Sequence, residues 1–352
     1  MKDNGTIAII EFNTWHYEVI GSQVQFLVKS GYKVLMACDA KGRNIVDGYT
    51  DNSNVEVVYF DFSRFGQLLK FRNLLVARNI PKLIINTCSG SRAMKFCALF
   101  PPKSIEIYGV IHNIGKLTDS IGQKIICHRV KHFFVLAEYL TSNLPHNSHL
   151  QFSYFNPIYE PLIQTITIHK PQDMTWLVIP GTLETKRRDY WFLFDVIDSM
   201  KDSDALKHIQ FIILGNSRTK EGIAFRQEVE RRAYSNNFVF FDKFVDTATF
   251  DAYMRMADYL PMLAHPGHGM QDTYVGQRVS GTCIKAAIYT KMLICHKMFA
   301  DIQKFRYASK FYSTIDEFVS IISTLQTMPV PNMLNFEADR KRYIEFISTN
   351  KS

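Results

Sequence analysis

The chain alternates short runs of β-branched and aliphatic residues with longer stretches in which apolar side chains return every three or four positions. TIAIIEF (6–12), KVLMAC (33–38), VEVVYF (55–60), KLIINT (82–87), IEIYGVIH (105–112), HFFVLA (132–137) and HLQFSYF (149–155) read as strands. Between them, helices are predicted over 17–31, closed by Gly31, and near 64–79, 89–100, 117–128 and 138–144. Strands that are apolar along their length and separated by helix-length segments imply βα units and a parallel sheet covered on both faces. NPIYEPLIQTITIHKPQDM (156–174) breaks this rhythm with three prolines and no clear period, and reads as a linker. Alternation resumes with TWLVIP (175–180), HIQFIILG (208–215), NFVFFDKF (237–244), YLPML (259–263) and MLICH (292–296). Helices are predicted there over 189–200, 222–234, 281–290 and near 248–257, 315–326 and 335–348. The expectation is an α/β protein of two Rossmann-like domains, with parallel sheets facing an interdomain cleft. The first domain spans 1–155, the linker 156–174, the second domain 175–330, and a C-terminal helix lies in 331–352.

Composition agrees with that picture. A chain of 352 residues can fill two cores, and 47% hydrophobic with 21% charged residues is the balance of a folded globular protein. No segment approaches the ~18 apolar residues of a membrane span. The opening MKDNGTIAIIEF lacks the pattern of a signal peptide, so a cytoplasmic location is expected. The six cysteines stand singly in apolar segments with no CxxC pair, which points to reduced, buried thiols rather than to zinc or a redox dithiol. The net charge of +8 is uneven: residues 1–155 hold 17 Lys and Arg against 11 Asp and Glu, whereas 156–352 hold 24 against 22. A basic first half suits an anionic partner such as a lipid headgroup, and solubility charge is an equal alternative. Lys116, Lys124, Arg129 and Lys131 around the helix near 117–128 are the candidates for weak contact with an anionic membrane surface. Nucleic acid is disfavoured, because no basic stripe is interleaved with aromatics.

Parallel sheets bind ligands beyond the carboxyl ends of their strands. In IPGTLETKRR (179–188), Gly181 follows a strand directly, and Lys186 and Arg187 precede the next helix. Cations there oppose the helix dipole unless an anion is bound, so a phosphate site is one reading and pairing with Glu184 and Asp189 the other. Ser280, Gly281 and Thr282 open a helix whose free N–H groups and hydroxyls suit phosphate oxygens, or form an ordinary cap. FIILGNS (211–217) ends a buried strand at Gly215.

Taken in order, IPGTLETKRR, FIILGNS, FVFFDKFVDTATFDAYMRMADYLPML and SGTCIKAAIYTKMLI, with YGVIHNIG and HFFVLAEYLTSNL earlier, resemble the GT-B glycosyltransferases, and within them the retaining family four. That resemblance implies a nucleotide-diphosphate sugar donor in the second domain and a glycan or lipid-linked acceptor hydroxyl, as in surface polysaccharide or lipopolysaccharide assembly. The reaction it implies is retaining and metal-independent, without a cofactor, and the protein would sit in the cytoplasm or on the inner face of the membrane. Lys186 and Arg187 would hold the diphosphate, Ser280, Gly281 and Thr282 would present the helix end, and Gly181 and Gly215 would line the donor site. His112 would lie beside the reacting centre. The family's paired glutamates, eight positions apart, fall on Gln277 and Lys285 here, so Gln277 would contact the donor sugar and Lys285 marks a departure. His16 and Glu18 in NTWHYEV are candidates for binding the acceptor. His265 and His268 lack further ligands for a metal and fit a sugar-contacting or exposed loop. A nucleotide-sugar epimerase on the same fold, a non-catalytic nucleotide- or sugar-binding protein, and more distantly an enzyme glucosylating nucleic acid are the alternatives.

Overall fold

The computed structural model describes residues 4–45, 47–49, 52–98, 105–146, 149–159, 166–268, 270–324 and 329–349. Two compact units divide the chain: Met1–Leu162 with Gly276–Val279 and Asn335–Ser352, and Ile163–Val275 with Ser280–Leu334.

The first unit holds strands β1 (Thr6–Glu11), β2 (Lys33–Asp39), β3 (Val55–Phe60), β4 (Lys82–Ile85), β5 (Glu106–Ile111), β6 (His132–Val135) and β7 (Gln151–Tyr154). Its helices are α1 (Ile20–Lys29), α2 (Phe65–Ala77), α3 (Gly90–Ala98), α4 (Lys116–Asp119) and α5 (Ile121–Arg129). The strands form one parallel sheet in the order β3-β2-β1-β4-β5-β6-β7. The second unit holds β8 (Thr175–Pro180), β9 (Ile209–Asn216), β10 (Phe238–Phe241), β11 (Tyr259–Pro261), β12 (Met292–His296) and β13 (Ser309–Tyr312). Helices α6 (Phe192–Met200), α7 (Lys220–Arg231), α8 (Thr247–Met256), α9 (Gln271–Gly276, its last residue counted with the first unit), α10 (Gly281–Tyr289) and α11 (Ile315–Ile322) accompany them. This sheet too is parallel, in the order β10-β9-β8-β11-β12-β13. Strands such as Ile7–Ile10 and Leu177–Ile179 are buried throughout because helices cover both faces, which is why their sequence shows no alternation.

Each sheet has one place where the strand order reverses, between β1 and β4 in the first and between β8 and β11 in the second. Loops leaving two such strands part to opposite faces and leave a crevice at their carboxyl ends. Glu11 and Ile85 end the strands at the first of these points, and Pro180 and Pro261 at the second.

Several elements differ from the sequence expectation. β13, the edge strand SKFY, has four residues with only Tyr312 buried, too short and too polar to stand out from a loop. The stretch predicted as a helix over 138–144 is a 3-10 turn, Glu138–Asn143. The long loop before residue 281 contains the short helix α9. The C-terminal helix α12 (Phe336–Ser348) packs into the first unit, where Tyr343 stacks on Phe134 with ring centroids 4.4 Å apart and Asn156 donates to the Asp339 carboxylate. Gln277 also falls in the first unit rather than with residues 175–330, since the amide of Ile114 donates to its carbonyl at 2.8 Å.

Candidate functional sites

At the second unit's reversal point, β8 ends and the chain turns at Gly181, whose φ of +108° lies where residues with a Cβ are strained. Gly215, at the end of β9, is needed for a different reason: a Cβ there would fall 2.3 Å from the Gly181 carbonyl. Its missing side chain lets the two strand ends close up, a packing role. Thr219 accepts from the Gly222 amide as the N-cap of α7 while its hydroxyl donates to the Leu183 carbonyl at 2.9 Å, and the Thr185 amide donates to Glu221. The Gly181–Arg188 loop is thereby fastened to the start of α7.

Within that loop the three cations separate. Lys186 and Arg187 are 68% and 50% exposed and both turn to Glu184, at 4.0 and 2.7 Å. Exposed pairs of this kind contribute about 0–1 kcal/mol. Arg188 turns inward instead. Its guanidinium lies over Gly181, reaches the Tyr190 hydroxyl at 3.3 Å and donates to Thr282 Oγ1 at 3.2 Å. Burial works against its charge, but Tyr190, Tyr274 and Glu184 outweigh that and hold its pKa above the ordinary arginine value. Thr282 and Ser280 are buried, with the Ser280 hydroxyl accepting from the Thr282 amide, while Gly281 between them is exposed and faces open space. The loop and the helix start expected to converge do so, through Arg188 rather than through Lys186 or Arg187.

Next to Arg188, Asp189 joins a buried relay. Its carboxylate pairs with His265 Nδ1 at 2.9 Å, and His265 Nε2 contacts the Tyr312 hydroxyl. Burial pushes the Asp189 carboxyl up, yet the hydrogen bond and charge of His265, with His268 at 3.8 Å, leave it below the usual carboxylate range. This pairing accounts for the two loop histidines: they tie the loop after β11 to the start of α6. Lys285 lies over the Phe250 ring at 5.3 Å.

At the first unit's reversal point a carboxylate sits at zero exposure. Glu11 accepts from the Asn13 amide and side chain through one oxygen, and from Asn86 Nδ2 (2.7 Å) and Thr87 Oγ1 (2.6 Å) through the other. Burial raises its pKa despite these bonds. Asn86 also donates to the His16 carbonyl at 3.0 Å, and its own carbonyl takes His112 Nε2 at 2.7 Å. A carbonyl only accepts, so the His112 proton is on Nε2 and Nδ1 is left as an acceptor. Burial, aided by the charge of His16, drives the His112 pKa down to about 3, so the ring is neutral at physiological pH. The His16 and His112 rings lie 4.0 Å apart, and His16 Nδ1 is 3.5 Å from Glu18. His112, His16 and Glu18 are thus brought together, and exposed Gln277 lies in the same unit. Sequence reasoning missed Glu11, Asn86 and Arg188. An acid closing the otherwise apolar strand TIAIIE was the available signal for Glu11.

No known protein family matches the sequence, and no curated protein does. Solved structures do. The Anabaena protein HepE, in complex with UDP and glucose, is similar with a TM-score of 0.59 at 12% identity, over 98% of this chain and 99% of its own. A glycosyltransferase from Rickettsia africae ESF-5 gives 0.57 at 10% identity, over 99% and 96%. The UDP-GlcNAc 2-epimerase from Methanocaldococcus jannaschii gives 0.55 at 10%, over 98% and 99%. Likeness at these identities establishes the fold: the chain has the two-domain α/β GT-B architecture, which glycosyltransferases and these epimerases share.

Proposed function

We propose that this protein is a glycosyltransferase that moves a sugar from a nucleoside-diphosphate sugar to an acceptor hydroxyl, in the manner of the retaining family-four enzymes. The observation that carries the reading is the inward guanidinium of Arg188, bonded to Thr282 in the first turn of α10 and laid over Gly181. A fixed cation beside a helix N-terminus is a site for a diphosphate, and it stabilises the charge that grows on the departing nucleotide, the task a divalent ion has in other folds. Support comes also from HepE, whose structure holds UDP and glucose. In this reading Arg188, Ser280, Gly281 and Thr282 hold the diphosphate, and Lys186 and Arg187 add charge from the exposed turn. Gln277 meets the donor sugar, neutral His112 offers Nδ1 to a sugar hydroxyl, and His16 with Glu18 receives the acceptor. The basic face of the first unit would rest weakly on an anionic bilayer carrying a lipid-linked acceptor.

Thermal shift against UDP, GDP and their glucose and N-acetylglucosamine conjugates tests the reading, since a specific ligand stabilises the fold by RT ln(1 + [L]/Kd). At 100 times Kd that is about 2.7 kcal/mol. One nucleotide should raise the midpoint, and Arg188→Ala should lose at least about tenfold in affinity, more than Lys186→Ala. A midpoint unmoved by every nucleotide, or Arg188→Ala binding as well as wild type, removes the donor site. An epimerase remains the second reading because epimerases are about as similar in structure. Incubation with donor alone separates the two: an epimerase yields an isomeric sugar nucleotide without any acceptor.

A further inference from the structure

We infer that Trp15 is the platform on which the acceptor sugar stacks, and so a specificity-determining residue of the first unit; the acceptor's identity as a sugar rests on the transferase reading above. Trp15 is 60% exposed, although tryptophan is the residue whose burial would remove the most apolar surface from water. The loop that carries it is held from both sides. On one side Arg92 donates to the Phe12 carbonyl, and Glu11 binds both the amide and the side chain of Asn13. On the other, His16 sits at φ +71°, a left-handed conformation strained for a residue with a Cβ, and Asn86 clasps its carbonyl.

A buried carboxylate and a strained residue are unfavourable by themselves. Here both act on the same five-residue loop, and together they keep the indole from folding back onto the core. The position also matters. This loop leaves β1 at the strand-order reversal, where the crevice of a parallel sheet takes its ligands. Near Trp15 are the polar groups a sugar requires: His16, next in the chain and paired with Glu18, and the Nδ1 acceptor of His112, whose ring lies 4.0 Å from that of His16. A flat apolar face with hydrogen-bonding groups at its edge matches a pyranose, which has an apolar face of C–H bonds and a polar rim.

The test needs no turnover. Fluorophore-labelled full-length protein is applied to a printed array of defined oligosaccharides, with and without UDP, as wild type, Trp15→Ala and Trp15→Phe. Wild type should bind a subset of the glycans. Trp15→Ala should weaken that binding by ~10-fold or more, and Trp15→Phe, which keeps a stacking face, by about threefold or less. Unchanged thermal midpoints establish that the variants are folded, as expected for an exposed side chain. Equal binding by wild type and Trp15→Ala overturns the inference, as does wild type that binds no glycan. The two proposals fail separately. UDP stabilisation without glycan binding sinks only the platform. Glycan binding lost in Trp15→Ala with no nucleotide bound sinks the transferase and leaves Trp15 as the platform of a glycan-binding site.

Discussion

His112 donates through Nε2 to a backbone carbonyl, lies against another histidine, and is partly withdrawn from water; each of these bears on its proton. Its pKa of about 3 in the folded protein lies below the ~6.5 of an unfolded histidine. Above pH 6.5 both states are neutral there and the group is without effect. Below it the unfolded chain takes up a proton that the folded one refuses, so stability falls as pH drops from about 6.5 towards 3, at up to ~1.4 kcal/mol per pH unit. Between pH 7 and 5, wild type should lose about 1–2 kcal/mol more than His112→Gln, which keeps a donor for the Asn86 carbonyl but cannot titrate. Urea unfolding at the two pH values measures this, and equal losses would show that the imidazole is solvated. The three cations of KRR part company for reasons equally local. Composition shows three cations before a helix, but not which one turns inward. Glu184 claims Lys186 and Arg187 by reach alone, and only Arg188 is placed to cross to Thr282.

Among the elements, α5 has an unusual division of faces. Ser120 caps it by accepting from the Gln123 amide, and Gln123 and Ile126 turn inward. Ile121 (78% exposed), Lys124, Ile125 and His128 are left outside, at the i, i+3, i+4, i+7 spacing of one helix face. Of the four cations singled out near this helix, Arg129 donates to the Ile105 carbonyl and Lys131 to the last turn of α5, whereas Lys116 and Lys124 stay exposed. Two isoleucines beside a lysine on one face suit shallow insertion among anionic headgroups, the lysine adding about 1 kcal/mol near such a surface. Co-sedimentation with phosphatidylserine-containing vesicles should fall several-fold in Ile121→Glu and in Lys124→Glu, with little loss in circular dichroism. Binding that ignores the anionic lipid content would refute the membrane contact. Element boundaries also mark where pattern reading fails. The central strands follow from their apolar runs, whereas the single helix expected near 117–128 is split at Ser120 into α4 and α5, and β13 is a four-residue edge whose pairing with β12 comes from tertiary contact alone.

For the molecule as a whole, the alternation of apolar runs was enough to foresee two parallel sheets, because burial on both faces leaves a mark on every central strand. Where the last helix packs was not legible, since nothing local in residues 336–348 names partners as distant in sequence as Phe155, Phe134 and Phe26. In the first unit Tyr343 is buried against Phe26, Phe134 and Phe155, and its hydroxyl donates to Gln23 Oε1 at 3.1 Å. Gln23 in turn donates to Asn86 Oδ1 at 2.7 Å, so the end of the chain is linked through two side chains to the residue that holds His16 and His112. Tyr343 therefore has two separable roles. Tyr343→Phe removes only the hydroxyl and should cost about 1 kcal/mol, whereas Tyr343→Ala opens a cavity among three aromatic rings and should cost about 3–5 kcal/mol. With two units in the chain, urea unfolding need not be a single transition. The shift should appear in the transition of the first unit and be nearly absent from that of the second, with Trp176 and Trp191 reporting the latter in a Trp15→Phe background. Equal shifts in both transitions would mean that α12 stabilises more than the unit into which it packs.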